Sequence, residues 1–365
     1  MPSNTIFPTP AGAAAPLGIE DGIPGRTALA LGIVPGLPAS SYYTPFAIDS
    51  IASAANLFGA PGAGTDFVRA LGELARQGVP ALTAIAIAGE NELPSLFDYL
   101  TDVPFDVMVP CRLIANQPRL QLLGPFAFSR EQQGQPISIV MEALPDTISH
   151  LTSVSTGSLL GPSAFDSTVA LARYFVFTLD QLYFNPNLPS QYQADAAPSV
   201  AGLMVRNLPS VSITNQILRG VKPVSLYSPA DAKVLAAAGY TVLTRSIRHG
   251  ITPYLGVTGT STTPGTSNYS PNFHRLQTLR TQQYVVSRLW SSTLDLIGEP
   301  SSSSVRATVS RLMDELVSTG VIVDYGSNIS ISQAAGSISI ALDVLPLGET
   351  TALTVSTRVN LPVTS

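Results

Sequence analysis

Residues 79–88 read VPALTAIAIA, a continuous apolar run that is typical of a strand covered on both faces of a sheet. Residues 27–34, TALALGIV, have the same character and predict a second buried strand. Working outward from these two runs, shorter strands are predicted at Thr44–Ile48, Phe105–Val109 and Ile137–Met141.

Helices are predicted between these strands. Ser50 is a suitable N-cap for a helix that ends before Gly59, Thr65 can cap a second helix, and Leu93–Leu100 has the pattern of a third. Alternation of strands and helices predicts an α/β (α+β) fold class, with helices packed on a mixed sheet.

The C-terminal part has a different pattern. A helix begins after Ser228, and two long helices are predicted at about Asn272–Ile297 and Ser304–Thr319. Strand-like runs follow at Val321–Tyr325, Ile329–Ser332, Ser337–Leu345 and Thr351–Leu361.

The region between the two parts is less regular, with one predicted helix at about Phe165–Leu182. We therefore expect five segments along the chain. They are an N-terminal arm at 1–25, the first part of an α/β assembly domain at 26–144, an irregular insertion at 145–197, a C-terminal domain at 198–345 and a C-terminal strand or arm at 346–365.

Composition excludes several classes of protein. The 365 residues are 45% hydrophobic and only 12% charged, with a net charge of -5, which argues against disorder and against a non-specific nucleic-acid binder. The one cysteine, Cys111, permits no disulfide framework and no cysteine-based zinc site. We also expect neither a secretory signal nor a membrane span. A surface so poor in charge is tolerable if copies of the chain cover much of it.

Motifs for catalysis are weak. Residues 59–65, GAPGAGT, lack the lysine of a phosphate-binding loop and are followed by Asp66. The histidines are His150, His249 and His274, far apart and without carboxylate or cysteine partners at metal-ligand spacing. For these residues, for Cys111, for Trp290 and for the adjacent Asp314 and Glu315, a structural or surface role is the simpler interpretation.

Five elements in order resemble the contractile tail sheath proteins of myovirus-type bacteriophages, a family that includes tailocins and related injection systems. The resemblance spans about residues 20–361, and residues 236 and 241 depart from its usual asparagines. The elements are Ile48-Asp49-Ser50 through Ala55-Asn56-Leu57-Phe58-Gly59, Tyr174-Phe175, Pro198-Ser199-Val200-Ala201-Gly202 with Asn215-Gln216-Ile217-Leu218-Arg219-Gly220-Val221, Leu235-Ala236-Ala237-Ala238-Gly239-Tyr240-Thr241, and Ile297-Gly298-Glu299-Pro300-Ser301.

The resemblance implies a structural protein, not an enzyme, with no cofactor and no catalytic or metal site. Its subunits would stack as hexameric rings around a tail tube and contract to drive the tube through the host envelope. The implied partners are further copies of the chain, the tail tube protein, and baseplate and tail terminator proteins. The implied location is the phage tail of the virion, assembled in the host cytoplasm.

Two sets of residues are candidates for contacts in such an assembly. The resemblance implies terminal arms that add strands to neighbouring subunits, and these would use Ile6, Phe7, Leu17, Ile19, Leu353, Val355, Val359 and Leu361. The charge balance is -9 up to Ala197 and +4 from Pro198 onward (7 basic and 16 acidic residues, then 12 basic and 8 acidic). Arginines on the two long helices could therefore face an acidic tube or a neighbouring subunit: Arg275, Arg280, Arg288, Arg306 and Arg311.

Two other classes of protein remain open from the sequence. Another self-assembling shell or surface-layer protein would share the low surface charge. An α/β hydrolase-type enzyme would need a convergent polar site that no sequence motif supplies.

Overall fold

A computed structural model describes most of the chain. The described residues are 26–59, 66–144, 146–152, 171–185, 191–245, 250–264, 268–296, 302–326, 329–334, 337–347 and 353–360. None of the helices in these ranges is long and apolar enough to cross a membrane.

A seven-stranded sheet forms the centre of the molecule, and its order is β10-β6-β5-β4-β1-β3-β2. Six strands are parallel, and β2 pairs antiparallel with β3 at one edge. The two apolar runs become β1 and β3, which pair along their whole length. Both strands are apolar throughout because both faces of the sheet are covered. The strands are β1 Thr27–Ile33, β2 Phe46–Ala47, β3 Ala81–Ile87, β4 Val107–Pro110, β5 Ser138–Glu142, β6 Phe175–Thr178 and β10 Tyr240–Thr241.

Helices cover both faces of this sheet and create two apolar cores. One core contains α1 Ile51–Phe58, α2 Asp66–Arg76 and α5 Ala197–Arg206; the other contains α3 Leu93–Leu100, α4 Gln117–Gln132 and α6 Pro229–Ala237. Close approach of α5 to α2 depends on Gly202, because a Cβ there would lie 2.9 Å from the carbonyl oxygen of Leu74. The α/β fold class is therefore confirmed.

A second unit has its own core, which includes residues of the two long helices. Its helices are α8 Leu276–Thr293, which follows the short α7 Pro271–His274, and α9 Ser302–Ser318. Its strands are β13 Ile322–Tyr325, β14 Ser330–Ala334, β15 Ser337–Pro346 and β16 Leu353–Asn360. β15 is central: β16 pairs along one edge, and β14 and β13 share the other.

Two small sheets complete the architecture. One has the order β8-β7-β9 and the other pairs β11 with β12. Their bounds are β7 Gln181–Phe184, β8 Tyr192–Asp195, β9 Val221–Pro223, β11 Leu243–Arg245 and β12 Ile251–Pro253.

The predicted N-caps of two helices are confirmed. Ser50 caps α1 with a reciprocal capping box, and Ser228 caps α6 by accepting a hydrogen bond from the Asp231 amide. The apolar face of α9 is buried, with Val305, Val309, Leu312 and Leu316 each at most 4% exposed.

Two predictions are wrong. The helix predicted at Phe165–Leu182 is wrong from Phe175 onward, where β6 and β7 replace it and Phe175–Thr178 joins the central sheet; residues 171–172 are helical. The stretch between β4 and β5, for which the sequence predicts no element, contains the 16-residue α4. The five segment boundaries themselves stay a prediction, although β6 places part of the 145–197 segment in the main sheet.

Candidate assembly surfaces and an internal ion-pair cluster

The turn that follows β1 lies at the carboxyl end of the central sheet, on the side of β3. In a doubly wound sheet, ligands bind at the carboxyl ends of the strands where the strand order reverses, which here is between β1 and β4. Tyr42 packs over this end of β1: its hydroxyl donates to the Val34 carbonyl (3.0 Å) and accepts from the Leu37 amide (2.9 Å). Nearby, the Tyr43 amide donates to the Ala86 carbonyl at 3.1 Å.

The residues considered for catalysis have structural environments. Cys111 is buried, and burial raises the pKa of its thiol, which disfavours the reactive thiolate. His274 is buried, with Nδ1 2.8 Å from the Thr260 carbonyl oxygen, and burial lowers its pKa. His150 is exposed and pairs with Asp146 one helical turn away (2.9 Å). His249 and residues 60–65 lie outside the described ranges, within which no group of three or more His, Cys, Asp and Glu side chains could hold a metal ion.

A buried ion-pair cluster ties the small sheet to the main body. The Arg112 guanidinium donates to Glu73 of α2 (Nη2 to Oε1, 2.6 Å) and to Asp195 at the end of β8. Both acids are at most 3% exposed. Burial opposes the charge on Arg112, but the two carboxylates raise its pKa above the ordinary value. Asp195 also accepts from the Ala197 amide (3.0 Å), so the cluster fixes the first turn of α5.

The edge of the C-terminal sheet is a candidate surface for adding strands. Leu353, Val355 and Val359 lie in β16 opposite Val344, Leu342 and Ile338 of β15. Within the described ranges, β16 pairs on one side only, so its other edge can accept a further strand. The remaining arm residues, Ile6, Phe7, Leu17, Ile19 and Leu361, lie outside the described residues.

Solved structures with this arrangement of elements are sheath proteins. A sheath tail protein from Desulfitobacterium hafniense superposes with a TM-score of 0.69 at 10% identity, covering 96% of this chain and 100% of that chain. One from Listeria innocua gives a TM-score of 0.70 at 10% identity, over 92% of this chain and 95% of that chain. The helical sheath of the anti-feeding prophage in its contracted state gives 0.63 at 9% identity, over 93% and 91%.

The chain has the fold of the sheath tail proteins. The likeness is one of fold, since no family model and no curated protein matches the sequence. It extends over both the α/β body and the C-terminal unit, because nearly the whole length of each chain is covered.

The sheath fold places the five arginines in different environments. Arg275, Arg306 and Arg311 are exposed. Arg288 is half-buried and joins the two long helices, with Nη2 2.9 Å from Glu315 Oε1. Arg280 is only 4% exposed and donates to the Asn207 carbonyl (3.4 Å). Its internal position removes Arg280 from the set that can face a tube.

Sequence reasoning missed the Arg112 cluster and two further tethers. Arg26 donates to the Val205 and Arg206 carbonyls, and Gln277 donates to the Ser210 and Leu347 carbonyls. Each joins residues 67 to 180 positions apart, so no local pattern marks them. The buried environment of a charged residue is visible only once the fold brings its partners together.

Proposed function

We propose that this chain is the structural subunit of a contractile tail sheath, not an enzyme. Copies would assemble as stacked hexameric rings around a tail tube and shorten to drive the tube through the host envelope. The observation that carries the proposal is the match to sheath proteins over nearly the whole of both chains.

The proposed partners follow from the same role. They are neighbouring copies of the chain, the tail tube protein, and baseplate and tail terminator proteins at the two ends. The proposed location is the phage tail, assembled in the host cytoplasm.

We propose that the terminal arms hold neighbouring subunits together during contraction. An arm that adds about five ladder hydrogen bonds, at about 1 kcal/mol each, contributes on the order of 5 kcal/mol before apolar burial is counted. Exposed polar contacts between bodies contribute about 0–1 kcal/mol each. Body contacts can therefore break and reform while the arms stay paired.

Electron microscopy of the purified chain, alone and co-expressed with a tail tube protein, tests the function. Hollow tubes or stacked rings are expected, and a tube template promotes them. Flat sheets or closed shells in both conditions would contradict the proposal and favour a surface-layer or shell protein.

Deleting residues 1–20 is expected to leave a folded subunit that forms no sheaths, because the described core begins at Arg26 and the predicted arm is lost. Circular dichroism and thermal unfolding check the fold, and electron microscopy checks assembly. Normal sheaths from the truncated chain would show that the N-terminal segment is not an arm.

Reversing charge at the two exposed arginines of α9, Arg306→Glu with Arg311→Glu, is expected to weaken attachment to an acidic tube and to make the remaining binding less sensitive to salt. The matched control is Arg245→Glu, an exposed arginine on β11 outside the two long helices. Cosedimentation with tubes at increasing salt is the measurement. Equal binding by the double variant and the control would assign these arginines to solvent or to contacts between subunits.

A further inference from the structure

The end of α5 and the turn after it, residues 205–211, accept hydrogen bonds from Arg26 and from two residues of α8. Arg26, the first described residue, donates to the carbonyls of Val205 (Nε, 3.3 Å) and Arg206 (Nη2, 2.9 Å). The last carbonyls of a helix lack partners within the helix, and a cation there also complements the helix dipole. The N-terminal segment therefore leaves the body beside the end of α5.

Gln277 connects the same turn to the C-terminal segment. Its side-chain nitrogen donates to the Ser210 carbonyl and to the Leu347 carbonyl, each at 2.6 Å. Leu347 directly follows β15, so this amide fixes the point where the chain leaves the C-terminal sheet toward β16. One primary amide has two hydrogens, and both are used in this bridge.

Arg280 lies between the two tethers, one helical turn after Gln277. Its guanidinium donates to the Asn207 carbonyl (3.4 Å), and its charge is balanced in part by Asp106. Asp106 in turn accepts a hydrogen bond from the Thr27 amide at 2.9 Å. The start of β1, the 205–211 turn and the first half of α8 thus share one polar network.

We propose that the 205–211 turn is a common anchor that couples the exits of the N-terminal and C-terminal segments, with Arg26 and Gln277 as positioning residues. A displacement of either segment strains the same turn and so loosens the other. The inference rests on the proposed function, because in a sheath subunit it would make the two arms respond together. The residues that couple the two arms would then all lie within one subunit.

The test measures the hydrogen-exchange rates of backbone amides in the full-length isolated chain. The rates are compared in residues 27–33 at the N-terminal side and in residues 337–346 and 353–360 at the C-terminal side. Gln277→Leu keeps the side-chain bulk and removes both donors. It is expected to speed exchange in the C-terminal pair of ranges by roughly tenfold, the loss of about one net hydrogen bond, and to speed exchange in residues 27–33 by a smaller factor. Arg26→Met is expected to give the reciprocal pattern.

The double variant distinguishes coupling from two independent tethers. If the turn is shared, the exchange factors of Arg26→Met and Gln277→Leu combine to less than their product. Gln277→Lys restores donors that reach both carbonyls and is expected to return exchange close to that of the unmodified chain. Such rescue would not occur if position 277 acted only through packing.

The proposal is overturned if each substitution changes exchange only in its own segment and the factors multiply in the double variant. If Gln277→Leu fails to fold, Arg26→Met alone still tests the proposal, because a shared turn predicts faster exchange in residues 337–346 and 353–360 as well as in residues 27–33. Assembly is measured separately by electron microscopy. Coupled exchange without tubes would contradict only the sheath function, and tubes from a chain with independent tethers would contradict only the common anchor.

Discussion

Replacing Arg112 by methionine is expected to lower the free energy of unfolding by about 3–5 kcal/mol, because the change leaves two buried carboxylates without their cation. Glu73 is fully buried and Asp195 is 3% exposed, so both carboxylates stay poorly hydrated when the guanidinium is removed. Methionine retains most of the apolar part of the arginine side chain. The loss in the free energy of unfolding therefore reports the removal of the charge more than a loss of packing. Chemical denaturation at neutral pH, with equal denaturant slopes for both proteins, is the measurement.

The matched control is Arg119→Met. Arg119 makes two short hydrogen bonds to Glu90 (2.6 and 2.8 Å), but the Glu90 side chain is 43% exposed. Solvent can hydrate the carboxylate left behind, so the expected loss is about 1 kcal/mol or less. Equal losses from the two substitutions would show that burial does not govern the Arg112 cluster.

A second substitution identifies the source of the loss. Adding Glu73→Gln to Arg112→Met replaces one stranded carboxylate by a neutral amide. It is expected to recover part of the stability, so the two effects are non-additive, as is usual for residues in direct contact. A double variant less stable than Arg112→Met would mean that the hydrogen bond between Glu73 and Tyr192, and not the lost charge pair, decides the stability at this position.

The cluster has a mechanical consequence for the proposed subunit. It joins three elements, which are α2, the loop after β4 and the end of β8. Without the cluster, these elements could move independently of one another. A subunit that transmits force to its neighbours needs a body that moves as one piece. A half-buried arginine that holds two buried carboxylates contributes to that rigidity in a chain with only 12% charged residues.

The elements that could be predicted from the sequence are those whose patterns involve only neighbouring residues. The β1 and β3 runs are apolar on both faces, and the caps at Ser50 and Ser228 need only neighbouring residues, so each could be predicted without the fold. The same holds for the alternating strand β15, which has one buried face.

The missed elements have misleading local signals. Leu171, Phe175, Leu179 and Leu182 recur at helical spacing, yet Phe175–Thr178 forms a strand because the neighbouring β5 pairs with it. α4 contains Pro118, Gly124 and Pro125, which all argue against a helix. Pro118 lies in the first turn, where proline is tolerated, and Asn116 caps the helix by accepting from the Arg119 amide (3.0 Å).

The candidate site residues also fall into two groups, those whose environment follows from local spacing and those whose environment depends on packing. Exposed arginines and the strand period of β16 could be predicted from spacing, whereas the burial of Arg280 could not. Arg280 is on a polar stretch of α8 that includes the buried Thr281, Gln282 and Gln283. Gln283 is satisfied by Ser138 and by the Ile137 carbonyl on the body, partners that only the packing of α8 on the sheet supplies.

The second large effect is expected at Asp180, in the turn between β6 and β7. Its carboxylate accepts a hydrogen bond from the Leu243 amide at 2.8 Å and is 4% exposed. Burial raises the pKa of Asp180 to about 7, and the hydrogen bond from Leu243 only partly offsets this effect. The folded protein therefore keeps a proton on Asp180 at pH values where the unfolded chain, with an ordinary aspartate pKa near 3.8, has lost it.

This difference in proton binding sets the sign of the pH dependence. The folded state binds more protons between about pH 4 and 7, so this group makes the protein less stable as the pH rises through that window. Its favourable contribution is fully present below pH 4 and is lost as the pH passes 7. Asp180→Asn keeps an oxygen acceptor for Leu243 and removes the titration.

We expect Asp180→Asn to gain stability relative to the unmodified chain as the pH rises from 6 to 8, by about 1.4 kcal/mol, a tenfold change in the unfolding equilibrium. Denaturation curves at pH 5, 6, 7 and 8 give the difference directly, and contributions of other groups cancel. Asp98→Asn on the exposed face of α3 is the control for replacing an aspartate by asparagine outside the core. A constant difference between Asp180→Asn and the unmodified chain would show that Asp180 remains charged in the folded core throughout this range.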